Sequence, residues 1–299
     1  MDGILIIDKP EGLTSHDVVA RVRRALKTKR VGHTGTLDPF ATGVLVLLIG
    51  KATRLAQFLD KDEKEYEAVI QFGYETDTGD KTGARTAKCR LRNEEIAERL
   101  ATTDWQNVLS EFRGEIEQIP PMYSAKKQAG KKLYELARQG KEIERKPIKV
   151  IVHELEIIDD EKFGTPHSAV RIRVVCSAGT YIRTLAEDIG RRIGIGAHLT
   201  ELRRKRAGKF ALDESVNVRD LDASTVKLLP IEEAISHLPE FVLSDERVEK
   251  TRNGMTTRTN GNQFGSDEIV RMVDHKGKLI AIGVNEDDLS EIRPKIVLV

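Results

Sequence analysis

Apolar residues recur along this chain with two different periods, and these periods predict both strands and helices. Residues 3–8 and 44–49 are short, almost entirely apolar runs, which are typical of buried strands. Between residues 65 and 74 every second residue is apolar, so we expect a strand with one buried face that carries Tyr66. Helical spacing over residues 14–26 predicts a helix between the two apolar runs.

The same patterns continue through the rest of the chain. Helices are predicted over residues 53–59, 93–112 and 133–138, and after residue 180 with Thr180 as the cap. Strands are predicted over residues 148–158 and 170–176. After residue 238 short strands alternate with glycine turns, which predicts a small all-β domain. We therefore expect a larger domain over residues 1–238, with an inserted segment at about 115–149, and a small domain over residues 239–299.

Residues 32–39 (Gly-His-Thr-Gly-Thr-Leu-Asp-Pro) are favoured by neither helix nor strand propensity, and we expect a shaped loop there. Gly32 and Gly35 permit backbone angles that other residues avoid. Asp38 precedes Pro39, and the proline biases the backbone of Asp38 towards extended geometry. The position of the carboxylate is therefore restricted. An isolated Asp-Pro usually begins an ordinary turn. Because of the flanking residues, a loop that exposes the Asp38 carboxylate to a ligand is an equally good interpretation.

The composition is that of a soluble protein whose charges are unevenly distributed. Of the 299 residues, 39% are hydrophobic and 32% are charged, with a formal net charge of +1. Residues 122–149 carry nine Lys and Arg against three acids, and residues 191–209 carry seven against one. Such runs are often solvated faces. Two runs of one sign with aromatic residues among them favour a polyanionic partner, and RNA in particular.

The sequence argues against several classes of protein. The longest apolar run is far shorter than the ~20 residues of a membrane span, and no basic secretory signal begins the chain, so we expect a cytoplasmic protein. Cys89 and Cys176 lie in no Cys-x-x-Cys or Cys/His cluster, which argues against a disulfide framework and a zinc site. The residues of a phosphate-binding loop and of a Gly-x-Ser-x-Gly elbow are missing.

A series of stretches carries the most specific signal, and they follow one another in order: residues 3–5, 8–15, 32–39, 41–45, 64–66, 76–80, 120–126, 133–138, 179–185, 198 and 202–204. In these stretches the chain closely resembles the tRNA pseudouridine 55 synthase (TruB) family. They span nearly the whole larger domain. The C-terminal segment is similar only in its size and β character, as a PUA-like RNA-binding domain.

The resemblance implies a fold and an activity. The fold is α+β, a pseudouridine-synthase fold with a mixed, mainly antiparallel central sheet flanked by helices, plus the small PUA-like domain. The activity is an isomerisation of the uridine at position 55 in the T loop of tRNA. The enzyme flips this base out, cleaves its glycosidic bond, rotates the base and rejoins it through C5. No cofactor and no metal is expected, and a role in tRNA folding is a further expectation.

The resemblance also implies roles for individual residues. Asp38 is the expected catalytic carboxylate, either attacking C1′ or removing a sugar proton. Arg183 is expected to pair with Asp38 and keep it charged. Tyr66 is expected to stack on the uracil. Help in removing the C5 proton is the less favoured role for it, because a phenol is a poor base at neutral pH. Tyr181 and Leu202 are expected to wall the uracil pocket, although both residue types are common in ordinary cores.

Contacts with RNA are expected from three places. His33 is expected to fill the position that the flipped base leaves. The inserted segment is expected to clasp the T arm, together with arginines from the second basic run. The expected RNA-binding residues are Lys126, Lys127, Lys131, Lys132, Arg203 and Arg204. The expected partner is the T stem-loop of tRNA, with no membrane and no obligatory protein partner.

Two other functions use the same surfaces. The chain could remodel tRNA without any chemistry, in which case Asp38→Asn leaves binding unchanged and the wild type makes no modified product. It could also be a guide-RNA-dependent relative of the dyskerin type that acts only with partner proteins. The basic insertion argues for unaided recognition of tRNA, because such a segment would replace the guide.

Overall fold

The computed structural model describes residues 1–59, 62–88, 92–124, 126–128, 131–137, 139–141, 143–159, 168–221, 226–259, 264–286 and 291–298. The strands are β1 (Gly3–Lys9), β2 (Val31–Thr34), β3 (Thr42–Ile49), β4 (Lys64–Phe72), β5 (Tyr74–Thr76), β6 (Arg85–Lys88), β7 (Gly114–Gln118), β8 (Lys127–Gln128), β9 (Lys131–Lys132), β10 (Ile148–Asp159), β11 (Ala169–Cys176), β12 (Ala197–Ala207), β13 (Phe210–Ala211), β14 (Val216–Asn217), β15 (Glu240–Val242), β16 (Thr257–Arg258), β17 (Ile269–Val273), β18 (Leu279–Glu286) and β19 (Glu291–Val297). The α-helices are α1 (Ser15–Ala25), α2 (Ala56–Leu59), α3 (Asn93–Thr102), α4 (Trp105–Ser110), α5 (Leu133–Ala137), α6 (Ile182–Arg192), α7 (Ile231–Ala234) and α8 (Asp245–Arg252).

The chain divides into two compact units. One unit comprises Leu5–Leu47 and Asp60–Val226, and the other comprises Met1–Ile4, Leu48–Leu59 and Lys227–Val299. The boundary expected between residues 238 and 239 stays a prediction. No helix in the described parts of either unit is long and apolar enough to cross a membrane.

A ten-stranded sheet organises the larger unit. Its main path runs β14-β1-β3-β12-β4-β11-β10-β7, with β13 beside β12 and β2 beside β3. The β1–β14 and β3–β12 pairs are parallel, whereas β12–β4, β4–β11, β11–β10 and β10–β7 are antiparallel. Helix α6 packs against β12 and β4. This arrangement confirms the predicted mixed, mainly antiparallel sheet with flanking helices.

Strand β4 forms because its residues alternate strictly between a buried and a half-buried face. Lys64, Tyr66, Ala68, Ile70 and Phe72 are the buried ones, on one side of the sheet. The prediction that Tyr66 shares the buried face is therefore confirmed. The strand ends earlier than expected, because the next residue is a glycine at φ +109°, and β5 begins after it.

Several predicted boundaries were wrong for local reasons. Residues 93–112 form two helices, since Asp104 accepts a hydrogen bond from the Asn107 amide and so starts α4 as its N-cap. The predicted helix over residues 53–59 is a 3-10 turn (Gly50–Leu55) followed by the single turn of α2. Thr180 does not cap α6: the N-cap is Tyr181, and the Thr180 hydroxyl donates to the Ser177 carbonyl instead.

The loop expected over residues 32–39 is partly a strand. Val31–Thr34 form β2, which pairs with β3, so pairing overrides the low strand propensity of its glycine. Gly35, at φ +75°, then turns the chain out of the strand towards Asp38. Cys176 is buried as predicted, whereas Cys89 lies outside the described residues.

The smaller unit contains a five-stranded sheet in the order β15-β17-β18-β19-β16. Helix α8 packs against β18 and β19, over a core that includes Val248, Met272, Ile280 and Ile292. The predicted β-rich, PUA-like character fits this sheet. The expectation that residues 239–299 are all-β was wrong, because they include the helix α8.

Candidate active site

A cleft of about 400 Å³ with both polar and apolar walls opens in the larger unit. Five parts of the chain supply its walls: β2 with the β2–β3 connection, the buried face of β4, two residues of the inserted segment, the start of α6 with the turn before it, and the middle of β12. The lining residues are His33, Gly35, Thr36, Leu37, Asp38, Lys64, Tyr66, Ser124, Lys126, Ser177, Ala178, Gly179, Thr180, Tyr181, Ile182, Arg183, Leu202 and Arg204. The cleft therefore brings together Asp38 and all five residues that were expected to bind the substrate.

The backbone next to Asp38 is held by two residues near the start of α1, Lys9 and Ser15. The Ser15 hydroxyl, 1% exposed, accepts a hydrogen bond from the Leu37 amide (2.9 Å) and lies 3.2 Å from the Leu37 carbonyl. The ammonium group of fully buried Lys9 donates to the Pro39 carbonyl (3.3 Å) and to the Leu13 carbonyl (2.7 Å). These contacts fix the backbone on both sides of Asp38, so the carboxylate has few alternative positions.

Arg183 contacts Asp38 directly. Its Nε lies 2.9 Å from Asp38 Oδ2, and its side chain is 5% exposed. The other two guanidinium nitrogens donate to the carbonyls of Thr78 (2.7 Å) and Tyr123 (2.8 Å). Asp80 Oδ2 lies 3.9 Å from Nη1. A guanidinium fixed at every nitrogen holds its charge against the carboxylate in one geometry.

The electrostatic setting of Asp38 combines opposing effects. Burial raises the pKa of Asp38, and the nearby Asp80 adds to that rise, whereas Arg183 and Lys9 oppose it. Because 31% of the Asp38 side chain is exposed, and Asp38 lines the cleft, one oxygen stays available to a ligand while the other pairs with Arg183. The site can thus present a desolvated, reactive carboxylate.

Tyr66 and Arg204 face each other across neighbouring strands. They are register partners in the β4–β12 pair, and both side chains are buried. Burial raises the pKa of Tyr66, with the Arg204 cation and its hydrogen bond opposing that rise, so the phenol is neutral at pH 7. Arg204 also donates to the carbonyls of Val44 (2.6 Å) and Gly35 (3.1 Å). It therefore joins Tyr66 to the loop of Asp38.

Tyr181 and Leu202 stand at the sides of the cleft. Tyr181 is the N-cap of α6, and burial raises the pKa of its phenol. Its backbone is bound on both sides by the Gln118 side chain, which accepts from the Tyr181 amide (2.9 Å) and donates to its carbonyl (3.2 Å). Leu202, on β12, is 7% exposed. His33 lies on β2, with its ring edge-on to that of His16 at 5.7 Å.

The lysines expected to bind RNA belong to the inserted segment. Lys126 is exposed and lines the cleft. The backbones of Lys127, Lys131 and Lys132 form the short β8–β9 hairpin, and their side chains lie outside the part of the chain that the structure describes.

The second basic run is not the free cationic surface that the sequence suggested. Arg204 is 1% exposed and lines the cleft, so it does not belong to an open basic surface, and its expected contact with RNA stays a prediction. Arg203, the neighbouring residue, carries its side chain on the other face of β12 and pairs with Asp8 at 2.8 Å. Further residues of this run, Arg191, Arg192, Lys205 and Arg206, pair with acids from other elements. The distribution of charge along the chain did not reveal these acids, because they are distant in sequence.

Four residues of the site were not predicted. Lys9, Ser15, Asp80 and Gln118 are buried polar residues that hold Asp38, Arg183 or Tyr181 in place. Lys9, Ser15 and Asp80 lie within stretches that resemble the family, and their position there was the only sequence signal for them. Nothing in hydrophobic spacing marks a buried polar group that fixes a neighbour. A buried polar residue is informative only once its partner is known.

The sequence matches the TruB family along most of its length. Residues 23–182 match the TruB family pseudouridylate synthase (N terminal domain), and residues 183–243 match the tRNA pseudouridylate synthase B C-terminal domain. A tRNA pseudouridine synthase B of Geobacillus kaustophilus is 44% identical over 265 residues, covering 86% of this chain and 91% of the relative. That of Aromatoleum aromaticum is 48% identical over 250 residues, covering 81% and 77%.

Solved structures show the same fold. A chain from the "Structure of H/ACA RNP bound to a substrate RNA containing 2'-deoxyuridine" aligns with a TM-score of 0.71 and 26% identity, over 99% of this chain and 85% of the other. A chain from the "Crystal Structure of a Cbf5-Nop10-Gar1 Complex" aligns equally well, with 27% identity. On the strength of these matches and of the cleft around Asp38, this chain belongs to the TruB family and is a tRNA pseudouridine synthase, an isomerase.

Proposed function

We propose that this enzyme converts the uridine at position 55 in the T loop of tRNA to pseudouridine, and that Asp38 is its catalytic carboxylate. The observation that carries the proposal is the ion pair between half-buried Asp38 and buried Arg183, in a cleft that also holds Tyr66. Asp38 and Tyr66 both line this cleft of about 400 Å³, so a base has to enter the cleft to contact both of them. The target base must therefore leave its stack before it reacts.

The reaction is a rearrangement whose atoms balance. The bond from C1′ to N1 breaks, the base rotates, and a bond from C1′ to C5 forms. The proton on C5 passes to water, and N1 takes up a proton from water, so the product is an isomer of the substrate. Asp38 acts on the sugar, at C1′ as a nucleophile or at a neighbouring carbon as a base. Arg183 opposes the rise in the pKa of Asp38 and pairs with one carboxylate oxygen, which leaves the other for the substrate.

Other residues of the cleft hold the base and the RNA. The ring of Tyr66 stacks on the uracil, since its raised pKa keeps the phenol neutral. Tyr181 and Leu202 contact the two edges of the base. His33 occupies the stack that the base has left, and Lys126, at the rim of the cleft, contacts phosphate. The inserted segment grips the T arm without a guide RNA or a protein partner.

Tritium release tests the proposed function. Purified enzyme is incubated with an unmodified tRNA transcript that carries tritium at C5 of uracil, without any cofactor. We expect release of one tritium per tRNA from position 55, and none from a transcript with cytidine at that position. Release without dependence on position 55 contradicts the proposed site.

The variant Asp38→Asn separates chemistry from binding. We expect its kcat to fall by about 10³-fold or more, because a neutral amide is neither a nucleophile nor a base. The dissociation constant for tRNA should change less than about threefold. Wild-type binding without any tritium release would instead favour the alternative, in which the chain only remodels tRNA.

A second role in tRNA folding uses the same binding surfaces. Extrusion of a T-loop base requires the enzyme to open the local tertiary structure of the tRNA, and reclosure can then correct a misfolded molecule. Asp38→Asn serves as the test here too. It should still accelerate the recovery of a heat-misfolded tRNA in an aminoacylation assay, and a loss of this effect would tie folding to the chemistry.

A further inference from the structure

Gln118 is buried at the point where the inserted segment leaves the central sheet. It is the last residue of β7 and is 1% exposed. Its register partner Ile148 begins β10, so the insertion of residues 119–147 leaves and re-enters the sheet at this pair. No role was expected for this amide. Its two hydrogen bonds to the backbone of Tyr181 satisfy both of its ends.

The segment from Gln118 to Tyr123, which we name the strap, is bound at both ends to the start of α6. At its first residue the Gln118 amide binds the backbone of Tyr181. At its last residue the Tyr123 carbonyl accepts a hydrogen bond of 2.8 Å from Arg183 Nη2. Two consecutive prolines stiffen the middle of the strap, since each has a fixed φ. The strap is therefore joined at both of its ends to the start of α6, which carries Arg183.

We propose that Gln118 is a positioning residue for the reaction of Asp38, and that it couples the inserted segment to the catalytic ion pair. The proposal rests on the proposed function. The Gln118 amide fixes the backbone of Tyr181, two residues before Arg183. The Tyr123 carbonyl fixes the guanidinium itself. Any shift of the strap changes both contacts at once, and the distance from Arg183 Nε to Asp38 Oδ2 changes with them.

The coupling gives the enzyme a way to respond to its substrate. When the inserted segment binds RNA, the position of the strap becomes fixed. The contacts of the strap then fix Arg183 against Asp38. Because such coupling is reciprocal, ordering of the ion pair must also favour RNA binding by the insertion. A misplacement of about 1 Å at a reacting group costs about 100-fold in rate. The two hydrogen bonds of Gln118 are thus placed to affect catalysis more than affinity.

Substitution of Gln118 by leucine tests the proposal. Gln118→Leu keeps most of the volume and removes both hydrogen bonds. We expect kcat for tritium release to fall by about 10- to 100-fold with KM changed less than about threefold. The acid limb of the kcat profile should also move to higher pH by about half a unit or more, because a loosened Arg183 opposes the raised pKa of Asp38 less well.

Substitution by glutamate gives a readout that simple loss of packing would not give. A protonated carboxyl donates and accepts like the amide, whereas a carboxylate only accepts. The kcat of Gln118→Glu relative to that of Gln118→Leu should therefore rise as pH falls. Gln71→Leu is the matched control: Gln71 Nε2 donates to the carbonyls of Phe72 and Ser168, away from the cleft. The kcat of Gln71→Leu should stay within about twofold of that of the wild type. The acid limb of its kcat profile should lie at the same pH as in the wild type.

The outcomes separate this proposal from the proposed function. Wild-type enzyme is assayed in the same series, and its inactivity would count against the function itself. An active wild type with an unchanged kcat and acid limb in Gln118→Leu, or with a change in KM alone, overturns the role of Gln118. If Gln118→Leu does not fold, hydrogen exchange of the Tyr181 amide in the wild type tests whether Gln118 couples the inserted segment to the ion pair. Protection that increases with bound tRNA supports the coupling, and exchange at the unprotected rate overturns it.

Discussion

At the scale of single residues, Arg183 is the cation that directly contacts Asp38, and all three of its guanidinium nitrogens have a partner. Its three nitrogens bind one carboxylate and two backbone carbonyls, in three different directions. Lysine has a single charged nitrogen on a flexible stem and cannot reproduce this planar set. The side chain is therefore a fixed cation for Asp38, and it is not free to follow a phosphate.

Lys9 is a second buried cation near Asp38, with a different character. Its ammonium group donates to the carbonyls of Pro10 (2.9 Å), Leu13 and Pro39, and no carboxylate contacts it directly among the described residues. Burial lowers the pKa of Lys9 to about 8, although Asp38 and Glu11 oppose the change. The group thus titrates close to neutral pH, far from the usual range of lysine.

The pKa of Lys9 predicts a dependence of stability on pH. Folded Lys9 loses its proton near pH 8, and unfolded Lys9 keeps it to about pH 10.5, so in this window the unfolded state binds more protons. The free energy of unfolding of the wild type, relative to that of Lys9→Met, should therefore rise between pH 8 and 10. Urea unfolding at several pH values measures it. A constant difference would mean that Lys9 has an ordinary pKa.

At the scale of elements, the cleft depends on a close approach of β3 and β12. Gly43 and Arg204 are register partners in this parallel pair. A Cβ on Gly43 would lie 2.2 Å from the Arg204 carbonyl oxygen, and Gly43 has φ +100°. Only glycine allows the two backbones to meet at this distance. The approach places the Arg204 guanidinium behind both Tyr66 and the loop of Asp38.

Substitution of Gly43 by alanine should therefore destabilise the fold by about 3 kcal/mol, from the strained φ and the overlap with Arg204 together. Gly114 is the matched control, because its φ is +82° and nothing lies within 4 Å of an added Cβ. Gly114→Ala should cost about 1 kcal/mol, from the backbone strain alone. Denaturant unfolding of both variants measures the difference. Equal losses would show that the β3–β12 contact tolerates a side chain.

At the scale of the whole molecule, ion pairs neutralise most of the second basic run. On the half-exposed face of the central sheet, Arg173 pairs with Glu65, Glu154 and Glu156, and Arg206 also pairs with Glu65. Arg203 and Lys205 extend the same pattern to Asp8 and Glu67. Cations that already have a carboxylate partner release few counterions when RNA binds.

The salt dependence of tRNA binding should reflect this pairing. Lys126 is exposed and has no ion pair among the described residues, so Lys126→Gln should reduce the slope of log Kd against log salt by about 0.7–1. Arg203→Gln should leave the slope unchanged, because Asp8 already partners Arg203. Binding titrations at four salt concentrations give both slopes. An equal reduction in both variants would restore the second basic run as an RNA-binding surface.

Much of the fold could be predicted from the sequence, because local spacing decides it. The alternation in β4 and the apolar run in β3 each match a buried surface of that period, and Thr14 caps α1 through a hydrogen bond to the Asp17 amide. Breaks within elements were missed. The start of α4 at Asp104 and the end of β4 depend on one hydrogen bond or one backbone angle, which periodicity does not register.

The sequence by itself determined the alternation of buried and exposed positions, the restrained backbone before Pro39, and the stretches that carry the resemblance to the TruB family. The tertiary structure alone decided which cations are free. Arg203 and Arg204 are adjacent in the sequence but lie on opposite faces of β12, one paired with Asp8 and one buried behind Tyr66. The reason is physical: the charge that a side chain presents depends on partners from distant strands, and only folding brings those partners within reach.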